Sequence, residues 1–466
     1  MLTDASAYPG AGAAMGLIVV LVISLGVALA KKALIDETPG TKRLPGGTGL
    51  PFVGESLSFL CNMRGFISER HRRYGPAFRT HLFGTPTAVL SKPDDVRKVL
   101  LGEGKIVQMR LMKPIHNLMD GSLLSQHGDE HRQYRRVFQQ VLSPSALENR
   151  IPEISHIVSG IVAQWPAGKA IDINNDIHQI VFRLSQTVVF GRFDEELTKV
   201  IDPLFQTYNR GMISLPVNLP WTNYGSAIRA RRKLANVIAE EVAKRDSGDH
   251  EPGLVAALLD KEGAQVPAQA MLGLLAGYET TAFTIAIVLH TMARYPDIIE
   301  RLHKEHVTIM GSPQPITQQS DLKQLTLLDA AVRESMRLFS TAPVAGRVCT
   351  ESFTTSDGFL VPAGYMVFVG LDALPTRFAS IGQREQFLPD RYLNSETAPK
   401  RWDEAPFGGG PRSCVGSDFG LLMVKLVVSD VVRRYRWRLP DTAGELPPSK
   451  HSLEIILEPR PSNGTR

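Results

Sequence analysis

Along most of the chain apolar residues recur every three to four positions, the period of a helix with one buried face. Two runs are richer than that: Met271 to Ala293 is apolar almost throughout, and Phe419 to Val428 is a second apolar helical run. Strict alternation, the mark of a half-buried strand, is confined to short pieces at Ala77–Phe83, Thr87–Leu90 and Tyr365–Val369. The pattern predicts a fold that is mainly α with minor β sheets. After residue 50 neither a Gly/Ser-rich linker nor a charge run nor an internal repeat divides the sequence. A single large domain from 51 to 462 is therefore expected, although 466 residues leave room for about three average domains.

The first 50 residues differ. No charge occurs from Ala5 to Ala30, Leu17 to Ala30 is strongly apolar, and Lys31 and Lys32 follow. An uncharged run of this length can span a bilayer, and the lysines after it place the remainder on the cytosolic side. Ala28-Leu-Ala30 also looks like a signal-cleavage site, but the segment before it lacks a cation. The expectation is an N-terminal transmembrane helix within an anchor, residues 1–32, followed by a proline-rich hinge, 33–50. The whole would be a single-pass membrane protein.

The apolar fraction of 43% suits a large core, and three cysteines suit a reducing compartment. A net charge of +5 gives no reason to expect nucleic acid. Arg132, Arg135 and Arg136, with Arg433, Arg434 and Arg436, form either a basic patch that steers an acidic partner or ordinary solvated and helix-terminal charge.

Chemistry concentrates in Phe407-Gly-Gly-Gly-Pro-Arg-Ser-Cys-Val-Gly416. Cys414 sits on a glycine-rich loop, Arg412 is two residues before it, and an apolar helix follows. Glycines let backbone N–H groups approach a sulfur, and a nearby cation favours the thiolate. Elsewhere Glu334 and Arg337, three apart on a helix, can pair. Glu279 and Thr280 place a carboxylate beside a hydroxyl inside the apolar Met271–Ala293 run, an expensive arrangement unless it is used. His131 and Arg135, four apart, share a helical face.

Together these strings resemble the cytochrome P450 family, whose haem signature is Phe-x-x-Gly-x-Arg-x-Cys-x-Gly. Phe407, Gly410, Arg412, Cys414 and Gly416 match each fixed position, and the likeness runs from about Leu44 to the end. The resemblance implies the cytochrome P450 fold, haem b (iron protoporphyrin IX) as cofactor, and Cys414 as the axial thiolate, the metal ligand. It implies that His131, Arg135, Arg347 and Arg412 bind the haem propionates. Thr280 would orient bound dioxygen and Glu279 would supply protons, as the catalytic pair. Glu334, Arg337 and Arg391, the last from Phe387-Leu-Pro-Asp-Arg391, would form a buried structural cluster. The implied partners are an NADPH–cytochrome P450 reductase, a membrane and a lipophilic small molecule.

Gly49-Leu-Pro-Phe-Val-Gly-Glu-Ser-Leu57, Leu101-Gly-Glu-Gly104 and Ser214-Leu-Pro-Val-Asn-Leu-Pro220 are similar to the retinoic-acid hydroxylases and to plant sterol and terpenoid oxidases. The implied activity is hydroxylation of an isoprenoid-type lipophile, a retinoid first and a sterol or terpenoid second, with O2 and reductase electrons. The pocket would draw on Gln108 to Leu123, Ser214 to Pro220, Leu274, Leu275 and Pro343 to Ala345. A haem-thiolate isomerase or dehydratase, or a non-catalytic haem-binding protein, is the alternative; the Glu279–Thr280 pair argues for the oxygenase. Departures from the family pattern are Ser340-Thr341, Leu374-Pro375-Thr376 and Tyr278, whose ring would add bulk beside the oxygen pocket.

Overall fold

The computed structural model describes residues 42–461 apart from 51–53, 213, 215, 246–250, 262, 312–313, 343, 372–385, 397, 400–401, 403 and 442–451. The expected anchor and most of the expected hinge lie outside the described residues, as does Leu374-Pro375-Thr376. Mostly helical, with small sheets, the chain is a single domain, as its sequence suggests, within which two compact units can be distinguished. One unit holds the described residues up to Met109 and those of 344–373; the other holds the described residues of 110–343 and 374–466.

The first unit is built on a five-stranded sheet. Its order is Ala77–Leu82, Thr85–Leu90, Met366–Gly370, Val344–Cys349, Val107–Gln108. The first two strands form a hairpin whose turn residues, Phe83 and Gly84, both have positive φ, the geometry that matches strand twist. Thr85–Leu90 then pairs in parallel with Met366–Gly370, more than 270 residues later in the chain. Phe59, Phe66, Ile67, Phe78, Leu82 and Val89 form the small core on this sheet. The described end of the expected hinge is docked rather than free: Leu44 is buried and the N–H of Arg79 donates to the carbonyl of Pro45 at 2.7 Å. Gly46 allows that approach, because a Cβ there would stand 2.1 Å from the Arg79 carbonyl oxygen.

The second unit is helical. At its centre is Val266–Met292, which is apolar around most of its circumference and therefore packed on several sides. By length and hydropathy this helix would qualify as a membrane span, but 61% of its most apolar window is buried inside the protein. Asn174–Phe190, Thr326–Leu338 and Ser417–Arg434 pack around it, with Leu184, Val188, Ala282, Ile285, Leu289, Leu328, Val332, Val424, Val427 and Val431 in one continuous core. A second cluster, around Phe182, Phe205, Tyr208, Leu234, Leu274 and Tyr278, joins the first half of the central helix to Glu195–Gly211 and Asn223–Arg245. A short antiparallel sheet, Tyr435–Arg438, Glu454–Pro459 and Ala170–Asp172, closes one end. There the indole N–H of Trp437 donates to the Leu289 carbonyl at 2.9 Å and ties the sheet to the central helix.

Candidate functional site

The loop that carries Cys414 is shaped by its glycines. Gly408 and Gly410 adopt φ of 67° and 68°, where an L side chain is strained, and a single turn at Gly410–Arg412 leads to the cysteine. The Cys414 N–H donates to the Phe407 carbonyl at 2.9 Å, which closes the loop. Helix Ser417–Arg434 starts three residues after Cys414, so its N-terminal end points back at the sulfur. Cys414 is accessible at its surface, yet protein crowds its other sides. Crowding raises its thiol above the ordinary range, while the Gly416 N–H and the Arg135 charge pull the other way.

Arg135 reaches this loop from Gly128–Val141, donating to the Ser413 carbonyl at 2.7 Å and to the Ser413 hydroxyl at 2.9 Å. Arg412 turns toward the start of the same helix, donating to the Gln126 carbonyl at 2.6 Å and meeting His127 Nδ1 at 3.0 Å. His131 is buried between them. Burial first, then the charges of Arg412, Arg135, His127 and Arg132, hold its ring down to about 4. Positive and potentially positive groups are thus crowded on one side of the cysteine loop. Such a donor set fits a dianionic group, as the two propionates of a haem would be.

On the central helix, Ala276 and Thr280 are exposed, one turn apart, in a helix whose flanking turns are buried. Gly277 between them leaves room for a methyl: a Cβ there would lie in ordinary contact, 3.9 Å from Met423 Cε, Ser185 Oγ and Thr281 Oγ1. The Thr280 hydroxyl bonds back to the Ala276 carbonyl at 2.9 Å, the back-bonding that loosens a helical ladder. Beside it Thr281 faces Gly420 of the helix after Cys414; a Cβ on Gly420 would stand 3.8 Å from the Thr281 Oγ1.

Glu279 points elsewhere. Asn209 Nδ2 donates to its Oε1 at 2.7 Å, and His178 Nε2 lies 3.6 Å from Oε2. Neither partner stands out in the sequence, because both depend on how Asn174–Phe190 and Glu195–Gly211 cross the central helix. Tyr278 does not crowd the Thr280 face, in contrast to the expectation from sequence. Its ring is buried against His178, Phe182 and Phe205, with centroids 4.9, 6.0 and 5.0 Å away, and its hydroxyl accepts from Gln206 at 2.8 Å. Successive helix positions turn by about 100°, so residue 278 faces nearly opposite to residues 276 and 280.

Glu334, fully buried, takes Arg337 Nε at 2.7 Å and Nη2 at 2.9 Å on its two oxygens. Arg391 Nε at 3.0 Å and the Leu388 N–H at 2.9 Å also donate to the oxygen that takes Arg337 Nη2, Oε1. Arg347 lies in the other unit, where its Nε stands 2.8 Å from Glu103 in a buried ion pair that gave no sequence signal. The arginines near the C-terminus are engaged rather than displayed. Arg433 is buried, Arg433 and Arg434 share Asp430, and Arg436 grips Glu300 at 2.8 Å. In that half of the expected basic patch only Arg433 is internal; Arg436 is exposed and pairs with Glu300 at the surface. Of the expected pocket walls, Leu274 and Leu123 are buried, whereas Val217 and Leu219 are exposed beside Trp221.

Residues 44–463 match the family model described as Cytochrome P450. The chain is 28% identical over 420 residues to "Cytochrome P450 26A1" of Xenopus laevis, with 85% of each chain covered. It is 29% identical over 417 residues to "Cytochrome P450 26B1" of Danio rerio, covering 84% of this chain and 81% of the relative. Among solved structures, "Retinoic acid bound cyanobacterial CYP120A1" aligns with a TM-score of 0.82 at 25% identity, covering 90% of this chain and all of that one. With the glycine-shaped cysteine loop, the cations beside it and this agreement across nearly the whole described chain, the protein belongs to the cytochrome P450 family and is a haem b monooxygenase.

Proposed function

We propose that this enzyme hydroxylates an isoprenoid-type lipid, a retinoid before a sterol or terpenoid, using O2 and electrons from an NADPH-dependent reductase. The observation that carries the substrate class is the likeness, at a TM-score of 0.82, to a cytochrome P450 whose structure is described as retinoic-acid-bound. The relatives named Cytochrome P450 26A1 and 26B1 support the same branch.

In this reading Cys414 holds the haem iron, and Phe407, Gly410 and Gly416 shape the loop around it. Arg135, Arg412 and His131 receive the propionates, which would relieve the mutual repulsion of these groups. A thiolate-bound haem supplies O–O cleavage and C–H oxidation when present. Thr280, on the exposed face of the central helix, positions dioxygen through its hydroxyl, and Glu279, which takes up protons beside Asn209 and His178, delivers them by turning its carboxyl toward that face. Glu334, Arg337 and Arg391 brace the structure and take no part in the chemistry. The uncharged run from Ala5 to Ala30 anchors the enzyme in the endoplasmic reticulum membrane with its catalytic part in the cytosol.

The test is a reduced, carbon-monoxide difference spectrum of the haem-loaded chain, followed by titration of the ferric protein with retinoic acid, a sterol and a triterpenoid. A red-shifted thiolate Soret band that vanishes in Cys414→Ala, and a spin shift with retinoic acid at the lowest concentration, are the expected results. A wild-type band retained in Cys414→Ala rejects the ligand assignment. A spin shift given by the sterol or triterpenoid and not by retinoic acid rejects the retinoid preference.

A further inference from the structure

His178 is a buried-side histidine on Asn174–Phe190 whose two ring nitrogens both face acceptors. Nδ1 lies 2.8 Å from the carbonyl oxygen of Asn174, and Nε2 lies 3.6 Å from the carboxylate of Glu279. A carbonyl can only accept, so Nδ1 carries a proton. Were Nε2 bare, its lone pair would point at an anion whenever Glu279 is ionised; beside an ionised Glu279, a ring protonated on both nitrogens satisfies both neighbours. His306, by contrast, sets one nitrogen against the Leu302 carbonyl and the other against the Ser429 hydroxyl, both at 2.8 Å, and a neutral ring serves.

We propose that His178 is a positioning residue of the oxygenase reaction, an imidazolium that holds the Glu279 carboxylate in place and restores to it each proton that Glu279 passes on. The proposal rests on the reading of Glu279 as the proton donor. A glutamate of ordinary acidity, near 4.3, is almost wholly ionised at neutral pH and holds few protons to give. An acid works best when its pKa lies near the working pH, and a histidine beside a carboxylate has that property.

In the transfer the Nε2–H bond breaks, an O–H bond forms on Glu279, and the neutral ring takes a new proton from water. The His178 side chain is 14% exposed and that of Glu279 39%, so both stand at the edge of solvent. The titratable and charged groups around this corner are few. Glu279 and Tyr278 come from the central helix; Asp202, from Glu195–Gly211, accepts from Gln206 at 3.1 Å, and Gln206 in turn holds Tyr278. Burial pushes Tyr278 up to about 12, so it stays neutral. Burial draws His178 down, but the bond and charge of Glu279 and the Asn174 carbonyl outweigh it and leave the ring above its ordinary 6.5. The ion pair is accordingly complete below 6.5 and is lost as pH rises through the raised value.

The experiment uses the full haem-loaded chain with an NADPH-dependent reductase and retinoic acid as probe, comparing wild type, His178→Gln, His178→Lys and Glu279→Gln across pH 6 to 9. Product formed per NADPH consumed is expected to fall about tenfold in His178→Gln, short of the hundredfold or more a direct general acid supplies. The alkaline decline of the wild type should disappear in His178→Gln and move to higher pH in His178→Lys. In histidine-labelled wild type, the His178 ring signal should titrate above 6.5 and fall in Glu279→Gln.

Wild-type coupling and pH profile in His178→Gln, with Glu279→Gln impaired, would overturn the inference and leave the reading of Glu279 standing. Wild-type coupling in Glu279→Gln would overturn both. A His178 ring that titrates at or below 6.5 in the wild type overturns the inference whatever the variants do, including the case where they fail to fold.

Discussion

The most tightly specified side chain in the described structure is Glu334. Its two oxygens take Arg337, Arg391 and the Leu388 N–H, all out of water. Removing the carboxylate leaves two buried guanidinium groups without their counter-charge, a loss of about 3–5 kcal/mol. Glu334→Ala is therefore expected to lower the urea midpoint sharply, or to stop folding, without shifting the Soret position of whatever protein does fold. His306 allows a second residue-level prediction. Burial holds its ring down to about 4, so the folded state refuses a proton that the unfolded chain takes at 6.5. Stability from this group is present above 6.5 and is lost as pH falls from 6.5 toward 4. His306→Gln should lose roughly 2–3 kcal/mol less than the wild type over that interval in urea titrations at stepped pH. The buried carboxyls Glu305 and Glu404 are both raised by burial and act in the opposite direction, so the comparison with the variant, rather than the raw slope, is decisive.

At the scale of the element, glycines separate packing from function. Gly211 ends its helix against Asn223–Arg245, and a Cβ on it would stand 2.1 Å from the Cβ of Ala227. Gly211→Ala should cost about 1–3 kcal/mol through overpacking, measured by thermal melting. Gly277 is the converse case. A Cβ there would meet its neighbours at an ordinary 3.9 Å, so Gly277→Ala should leave the melt unchanged or stabilise it by about 0.5–1 kcal/mol through helix propensity. The same methyl is expected to alter the retinoic-acid spin shift, because it narrows the surface that Thr280 shares; an unaltered shift would detach that face from the ligand. This division was partly legible beforehand. The apolar run from Met271 to Ala293 predicted the central helix, and the short alternating pieces predicted strands within a residue or two of Ala77–Leu82, Thr85–Leu90 and Met366–Gly370. The direction of Tyr278 differs from the expectation, since it follows from helical phase rather than from nearness in sequence to Thr280.

For the whole molecule, local pattern was enough to establish the class of fold and the chemistry. A thiolate loop needs glycines, a cysteine and a cation within ten residues, so the cysteine loop can be read from one short string. Helices likewise advertise themselves through their own periodicity. What the sequence could not decide is anything that depends on elements brought together from afar. Thr85–Leu90 pairs with Met366–Gly370, and Tyr435–Arg438 reaches Ala170–Asp172 through Glu454–Pro459, across loop closures that no local pattern encodes. The same holds for the partners of the functional groups. Glu103 beside Arg347, Ser413 beneath Arg135, and His178 with Asn209 around Glu279 are set by how distant segments pack. Identity and spacing determined which groups this protein possesses; only tertiary packing decided which of them meet, because a charge or hydrogen bond acts over a few ångströms and the chain brings residues that close only when it is folded.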